Sequence, residues 1–138
     1  MRAFTRIAAA FGMAMCFLLQ TAARSQVVPA AAGKYCGVIW SNGVNAKAVT
    51  ILAVAADGSF AGEYVFAPNR QPPVSGVLEM QGAMRRRDAD FLWRDTYGTG
   101  LLTIRFSANF HSFAGKWGAD GQVPRFKWNG KRCDGPNV

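Results

Sequence analysis

From residue 34 onward the chain turns at short and regular intervals. Asn42-Gly43, Asp57-Gly58 and the stretch 97–100 (YGTG) are turn-forming, and 67–73 (APNRQPP), 82–88, 108–111 and 119–122 (ADGQ) break up the remaining apolar segments. Asn-Gly and Asp-Gly supply the positive φ that tight hairpins require. The intervening segments are β-branched or alternate apolar with polar residues, and none carries the 3.6-residue stripe of an amphipathic helix. They read as strands over 34–41 (KYCGVIWS), 47–55, 59–66, 74–81, 89–96, 101–107, 112–118 and 123–132. Consecutive strands with short connections must run antiparallel, because parallel pairing needs long crossovers. About eight tilted strands in sequence can close on themselves and remove both sheet edges. The fold class expected is therefore all-β, a small antiparallel up-and-down β-barrel. A two-sheet β-sandwich is the alternative the same strands permit.

A near-repeat fits that architecture. Residues 49–64 (VTILAVAADGSFAGEY) and 102–117 (LTIRFSANFHSFAGKW) align as strand, turn, strand. Each return strand sets Phe, Gly and a large aromatic on one face: Phe60, Gly62 and Tyr64, then Phe113, Gly115 and Trp117. A tapering barrel interior needs small residues beside large ones. Gly62 and Gly115 are expected to let a neighbouring ring lie on bare backbone.

The N-terminal residues read as a targeting segment. Arg2 and Arg6 precede a 13-residue uncharged apolar run, 7–19, and Ala23-Arg24-Ser25 places small residues for cleavage before Gln26. That run is short for a bilayer span and has signal-peptide proportions, an uncleaved anchor being the alternative. Cys16 lies inside the run and is discarded with it. The organisation expected is a signal peptide over 1–25, a flexible arm over 26–33, the barrel over 34–133 and a tail over 134–138. The product is secreted or periplasmic, with no stable membrane insertion after cleavage. Its remaining cysteines, Cys36 and Cys133, form an even pair in an exported chain and read as a disulfide joining the first strand to the last. The net charge of +8 falls to +5 on loss of Arg2, Arg6 and Arg24, which favours anionic partners.

Catalytic parts are scarce. The chain has one histidine, His111, in a hairpin turn, and no His/Cys cluster with metal spacing. Asp88, Asp90 and Asp95 lie among Arg85, Arg86, Arg87 and Arg94, and read as neutralising them. Neither a catalytic site, a metal nor a cofactor is expected, and the protein reads as a non-enzyme. Two binding surfaces remain. One is the interior, where Trp40, Phe60, Tyr64, Phe91, Trp93, Phe113, Trp117 and Trp128 are expected to line one end, with Ser41 and Asn42 as polar groups. The other is the outer wall. If Phe113, Gly115 and Trp117 face inward, Lys116 faces out, and the same alternation sends out Arg105, Arg125 and Lys127 on neighbouring strands, extended by Arg94. Such a stripe suits an anionic polymer or an acidic protein. Nucleic acid is not expected, since the aromatics point inward.

Trp40-Ser41-Asn42, the apolar strand after it, Asp57-Gly58, Gly62-Glu63-Tyr64, Trp93 and Phe113-Ala114-Gly115 resemble avidin- and streptavidin-like barrels of calycin type. The resemblance implies a barrel in which Asn42 and Tyr64 meet a ligand head group and Trp93 and Trp128 wall its ring. Ala46, Phe66 and Phe113 depart from that family's serine, polar residue and tryptophan, so a biotin site is not implied. The sequence thus predicts an exported, non-catalytic binding module. It engages an anionic macromolecule or protein through Arg94, Arg105, Lys116, Arg125 and Lys127. The alternatives are an avidin-like or lipocalin-like carrier of a small apolar or aromatic ligand at Trp40, Asn42, Tyr64, Trp93, Trp117 and Trp128, or a structural module with no ligand.

Overall fold

A computed structural model describes residues 30–133. The targeting segment, residues 26–29 of the 26–33 arm and the 134–138 tail lie outside the described residues. Eight strands follow one another: β1 (Gly33–Ser41), β2 (Val44–Val54), β3 (Phe60–Ala67), β4 (Val74–Arg85), β5 (Asp88–Asp95), β6 (Gly98–Phe106), β7 (Ser112–Ala119) and β8 (Phe126–Arg132). Each pairs antiparallel with the next, and β8 returns to pair with β1, so the sheet is a closed barrel and not a sandwich. Asn42 and Gly43 take φ of 50° and 80°, the left-handed pair that a two-residue hairpin requires.

The seam is fastened twice. Gly37 lies opposite Gly130 across the β1–β8 ladder, with Tyr35 opposite Arg132. Beyond it, the Cys36–Cys133 disulfide joins residues 97 apart in sequence over a Cα–Cα distance of 5.7 Å. The bond lies where the sequence puts it, between the first strand and the end of the last.

Alternation sends Tyr35, Leu52, Phe60, Phe91, Leu102, Phe106 and Phe113 inward, where each is buried. Rings rest on glycine backbone at direct cross-strand pairs. A Cβ on Gly76 would meet the Tyr64 ring at 2.2 Å, and one on Gly100 would meet Trp93 at 2.7 Å. The ring seats are therefore Gly76, Gly100 and, under Phe113, Gly130. Gly62 and Gly115, expected to serve this way, face Leu52 and Leu102 and neighbouring backbone instead. The reason is register: the residue opposite a glycine on the next strand decides what covers it, and Gly62 stands opposite Leu52 and Leu78.

One end of the barrel, the base, is closed by polar as well as apolar contacts. Arg132 enters from β8; its Nε donates to the Phe110 carbonyl at 2.8 Å, Nη1 to the Ala32 carbonyl at 2.9 Å and Nη2 to the Ala30 carbonyl. Its guanidinium lies over the Tyr35 ring at 5.1 Å. The Tyr35 hydroxyl shares its one proton between the carbonyls of Ala31, at 2.8 Å, and Phe110, at 3.1 Å. The described end of the arm is thus held against the base, with Ala31 fully buried.

Two strand ends differ from expectation. β4 runs on to Arg85, past Gly82 at φ 70°, because a register shift between Gln81 and Arg85 absorbs the irregular segment. The turn into β5 is then Arg86-Arg87 alone. β8 begins at Phe126 and not at 123, since Pro124 has no N–H for a ladder. No helix among the described residues is long and apolar enough to cross a membrane.

Candidate functional site

The end opposite the base is open. There the inward positions of β1, β3, β5, β7 and β8 surround a cavity of 380 Å³. All four tryptophans of the chain, Trp40, Trp93, Trp117 and Trp128, line it. Trp93 is seated on Gly100, and its Nε1 donates to the Gly118 carbonyl at 3.0 Å. Trp117 stands perpendicular to it, with ring centroids 5.5 Å apart, and donates to the Trp40 carbonyl at 3.1 Å. Trp128 donates to the buried Thr50 hydroxyl at 3.1 Å and receives Tyr64 edge-on at 4.6 Å. Trp40 sits between Ile39 and Ser41 at the rim, its ring stacked on Phe126 at 4.6 Å and 9°. Each indole is held by a second contact besides its backbone.

The polar groups are fewer. Tyr64 donates to Asp95 Oδ2 at 2.7 Å, while Asp95 Oδ1 accepts the Tyr97 backbone N–H at 2.8 Å. Burial pushes the Tyr64 hydroxyl far above the ordinary tyrosine range, and the hydrogen bond to Asp95 and that carboxylate's charge push it further. The phenol therefore stays protonated and acts as a donor. Asp95 is the one formally charged residue of the lining, and it forms no ion pair among the described residues. Ser41, Asn42 and the exposed Tyr97 add polar atoms at the rim.

The six residues expected to form an interior site, Trp40, Asn42, Tyr64, Trp93, Trp117 and Trp128, all reach this one cavity. Phe60, Phe91 and Phe113 do not; they fill the lower barrel. Hairpin parity explains the division. Phe60 and Phe113 each follow the turn of a β2–β3 or β6–β7 hairpin, and those turns lie at the base. The β1–β2, β3–β4, β5–β6 and β7–β8 connections lie at the mouth. Counting hairpins along the sequence separates the two sets. Sequence reasoning also missed Asp95, which was grouped with the arginine-neutralising acids. Its spacing of two from Trp93 puts it on the inward face, and the hydroxyl of Tyr64 meets it there.

On the outside, Arg105, Lys116, Arg125 and Lys127 line a shallow depression of 680 Å³ together with Arg85, Asp88 and Asp90. Lys116 and Lys127 stand directly opposite each other on β7 and β8. Arg105 grips Asp88 with Nε and Nη2 at 2.7 and 2.8 Å, which holds the Asp88 carboxyl below its usual range and raises the guanidinium. Arg125 lies in the loop before β8, its guanidinium 4.7 Å from the Phe126 ring centre. Arg94 is exposed on β5 and does not border the depression.

Comparison of the chain with protein-family models, with curated proteins and with solved structures finds no match. The eight-stranded antiparallel barrel is compatible with an avidin-like or other calycin-type fold. Tyr64, which the resemblance would turn toward a ligand head group, gives its hydroxyl proton to Asp95.

The ionisable side chains of the mouth are Asp95, Tyr64 and Tyr97, and no group of three or more metal-ligating side chains assembles among the described residues. Every buried side-chain nitrogen and oxygen among the described residues has a hydrogen-bond partner.

Proposed function

We propose that this protein is a non-catalytic binding barrel that takes a small ligand through its open end. The observation that carries this reading is the gathering of all four tryptophans around one 380 Å³ cavity. Small eight-stranded barrels either fill completely with side chains or leave room for one ligand. Here the lower half is filled by phenylalanines and leucines, while the upper half is walled by rings held apart by their own hydrogen bonds. The volume lies within the range of about 300–1,000 Å³ typical of small-molecule sites, and the lining has the usual character, mostly apolar with a few placed polar groups. The disulfide is consistent with an oxidising compartment, and export is part of the proposal.

Native mass spectrometry of protein purified from its own host should show a bound small molecule. Tryptophan fluorescence should shift on its removal and return on its addition. Protein that carries nothing, and whose fluorescence no small molecule alters, would count against this reading.

A second reading rests on Lys116 and Lys127. Two like charges placed directly opposite on adjacent strands are unfavourable alone and become favourable beside an anion. The outer depression would then hold an anionic polymer or an acidic protein patch. Replacing Arg105, Lys116, Arg125 and Lys127 by Glu should abolish retention on an anionic column at low salt; unchanged retention would end this reading.

A further inference from the structure

We propose that the ligand held in the mouth is a small organic cation of the alkylammonium type, its charge set against Asp95 and the faces of the surrounding rings. This rests on the interior binding reading and specifies its chemistry. The first argument is an inventory of donors. Tyr64 O–H is given to Asp95, Trp93 N–H to the Gly118 carbonyl, Trp117 N–H to the Trp40 carbonyl and Trp128 N–H to Thr50. Four donors of the kind that meet a carbonyl or an anionic head group are therefore engaged within the protein. An anion entering the cavity would lose its hydration and find in exchange only the Trp40 N–H and what Ser41, Asn42 and Tyr97 offer at the rim.

The second argument concerns acceptors. A carboxylate has about four lone-pair directions, and Asp95 uses one on each oxygen, for Tyr64 and for the Tyr97 N–H. The remaining capacity has no lysine or arginine to occupy it, since the salt bridge among the described residues is made elsewhere, between Arg105 and Asp88. Asp95 is inward on β5, two residues beyond Trp93, and shares the cavity lining with that indole. Ring faces carry the negative end of the aromatic quadrupole and attract cations most when desolvated. The perpendicular pair Trp93 and Trp117, with Tyr64 edge-on to Trp128, presents such faces in different planes around one volume. Arg125 already places its guanidinium over Phe126 at the rim, a cation–ring contact of the same kind.

The overall charge of +8 opposes a cation, but only over distance. Exposed charges are screened beyond a Debye length of about 8 Å at physiological salt, whereas a charge touching Asp95 in a ring-walled cavity is screened far less. Short-range recognition therefore wins.

The test uses three probes of similar size on the disulfide-intact protein: benzyltrimethylammonium, its neutral isostere neopentylbenzene, and phenylacetate. Binding is read by tryptophan fluorescence and calorimetry. The expected result is that the cation binds about tenfold more tightly than the neutral isostere, and phenylacetate more weakly than both. Asp95→Asn, whose single amide oxygen can serve the Tyr64 hydroxyl or the Tyr97 N–H but not both, removes the charge and should abolish the preference for the cation over the neutral probe. Should Asp95→Asn fail to fold, the order of the three probes on the natural protein decides alone. A neutral isostere that binds as well as the cation overturns the cation inference and leaves the interior site standing. Failure of all three probes to bind overturns both.

Discussion

The Tyr64 hydroxyl on β3 reaches across β4 to donate a 2.7 Å hydrogen bond to Asp95 on β5. The path is open because Gly76, opposite Tyr64 on the intervening strand, has no side chain. A methyl there would meet the ring at 2.2 Å. Gly76→Ala should therefore destabilise the protein by about 1–3 kcal/mol through overpacking. Replacing a glycine by alanine at an unstrained, uncrowded position has the opposite sign, stabilising by about 0.4–1 kcal/mol. The shift of the denaturation midpoint decides between them.

Tyr64→Phe keeps the ring over Gly76 and against Trp128 and removes only the hydroxyl. Asp95 then loses one of its two protein donors at a half-buried site. The expected loss is about 1.5–3 kcal/mol in denaturant unfolding, the size of a hydrogen bond to a charged partner. A loss near zero would mean that water replaces the phenol without cost.

Tyr35 and Tyr64 make folding stability sensitive to alkali. Burial raises both hydroxyls above the ordinary tyrosine value near 10; the nearby Arg132 charge partly offsets this at Tyr35, and Asp95 reinforces it at Tyr64. Above that value the unfolded chain releases protons that the folded one retains, so unfolding becomes more favourable as pH rises. Stability from these groups should be fully present below about pH 10 and decline above it. Two of the chain's three tyrosines should ionise together with the loss of structure, which ultraviolet absorbance of tyrosinate against circular dichroism can check.

Reduction of the Cys36–Cys133 bond should be severe. Releasing a loop of 97 residues restores to the unfolded chain an entropy worth about 4–5 kcal/mol at room temperature in the chain-closure account. Small domains have a total stability of about 5–15 kcal/mol. The midpoint in denaturant should fall steeply with reductant, and the Cys36→Ala, Cys133→Ala double variant should reproduce that fall without it.

The alternation of residues within a strand was legible, and with it the closed barrel, the disulfide and the convergence of Trp93, Trp117, Trp128 and Tyr64 on one space. What lay beyond reach depended on pairing between strands. Gly62 and Gly115 stand beside large residues in their own strands, but leucines on the neighbouring strands cover them; Gly76 and Gly100, in unremarkable surroundings, carry the rings. Asp95 follows Arg94 directly, so linear proximity suggested mutual neutralisation. A strand sends adjacent residues to opposite faces, and the carboxylate goes inward while the guanidinium stays in water. The outer cations are legible in the same way as far as their facing direction; the grip of Arg105 on Asp88 needs the β5–β6 register.

Tyr35 has Arg132 as its opposite residue on β8, and this has a bearing on how the molecule is made. Until the eighth strand exists, the other seven form a strip with two bare edges and an unplugged lower end. Such a strip invites pairing with other chains. A polypeptide emerging from its N-terminus therefore gains protection from aggregation only when its final segment arrives, bringing edge closure, plug and crosslink almost at once. Loss of the segment from Phe126 to Cys133 should be far more damaging to yield in the cell than its length suggests.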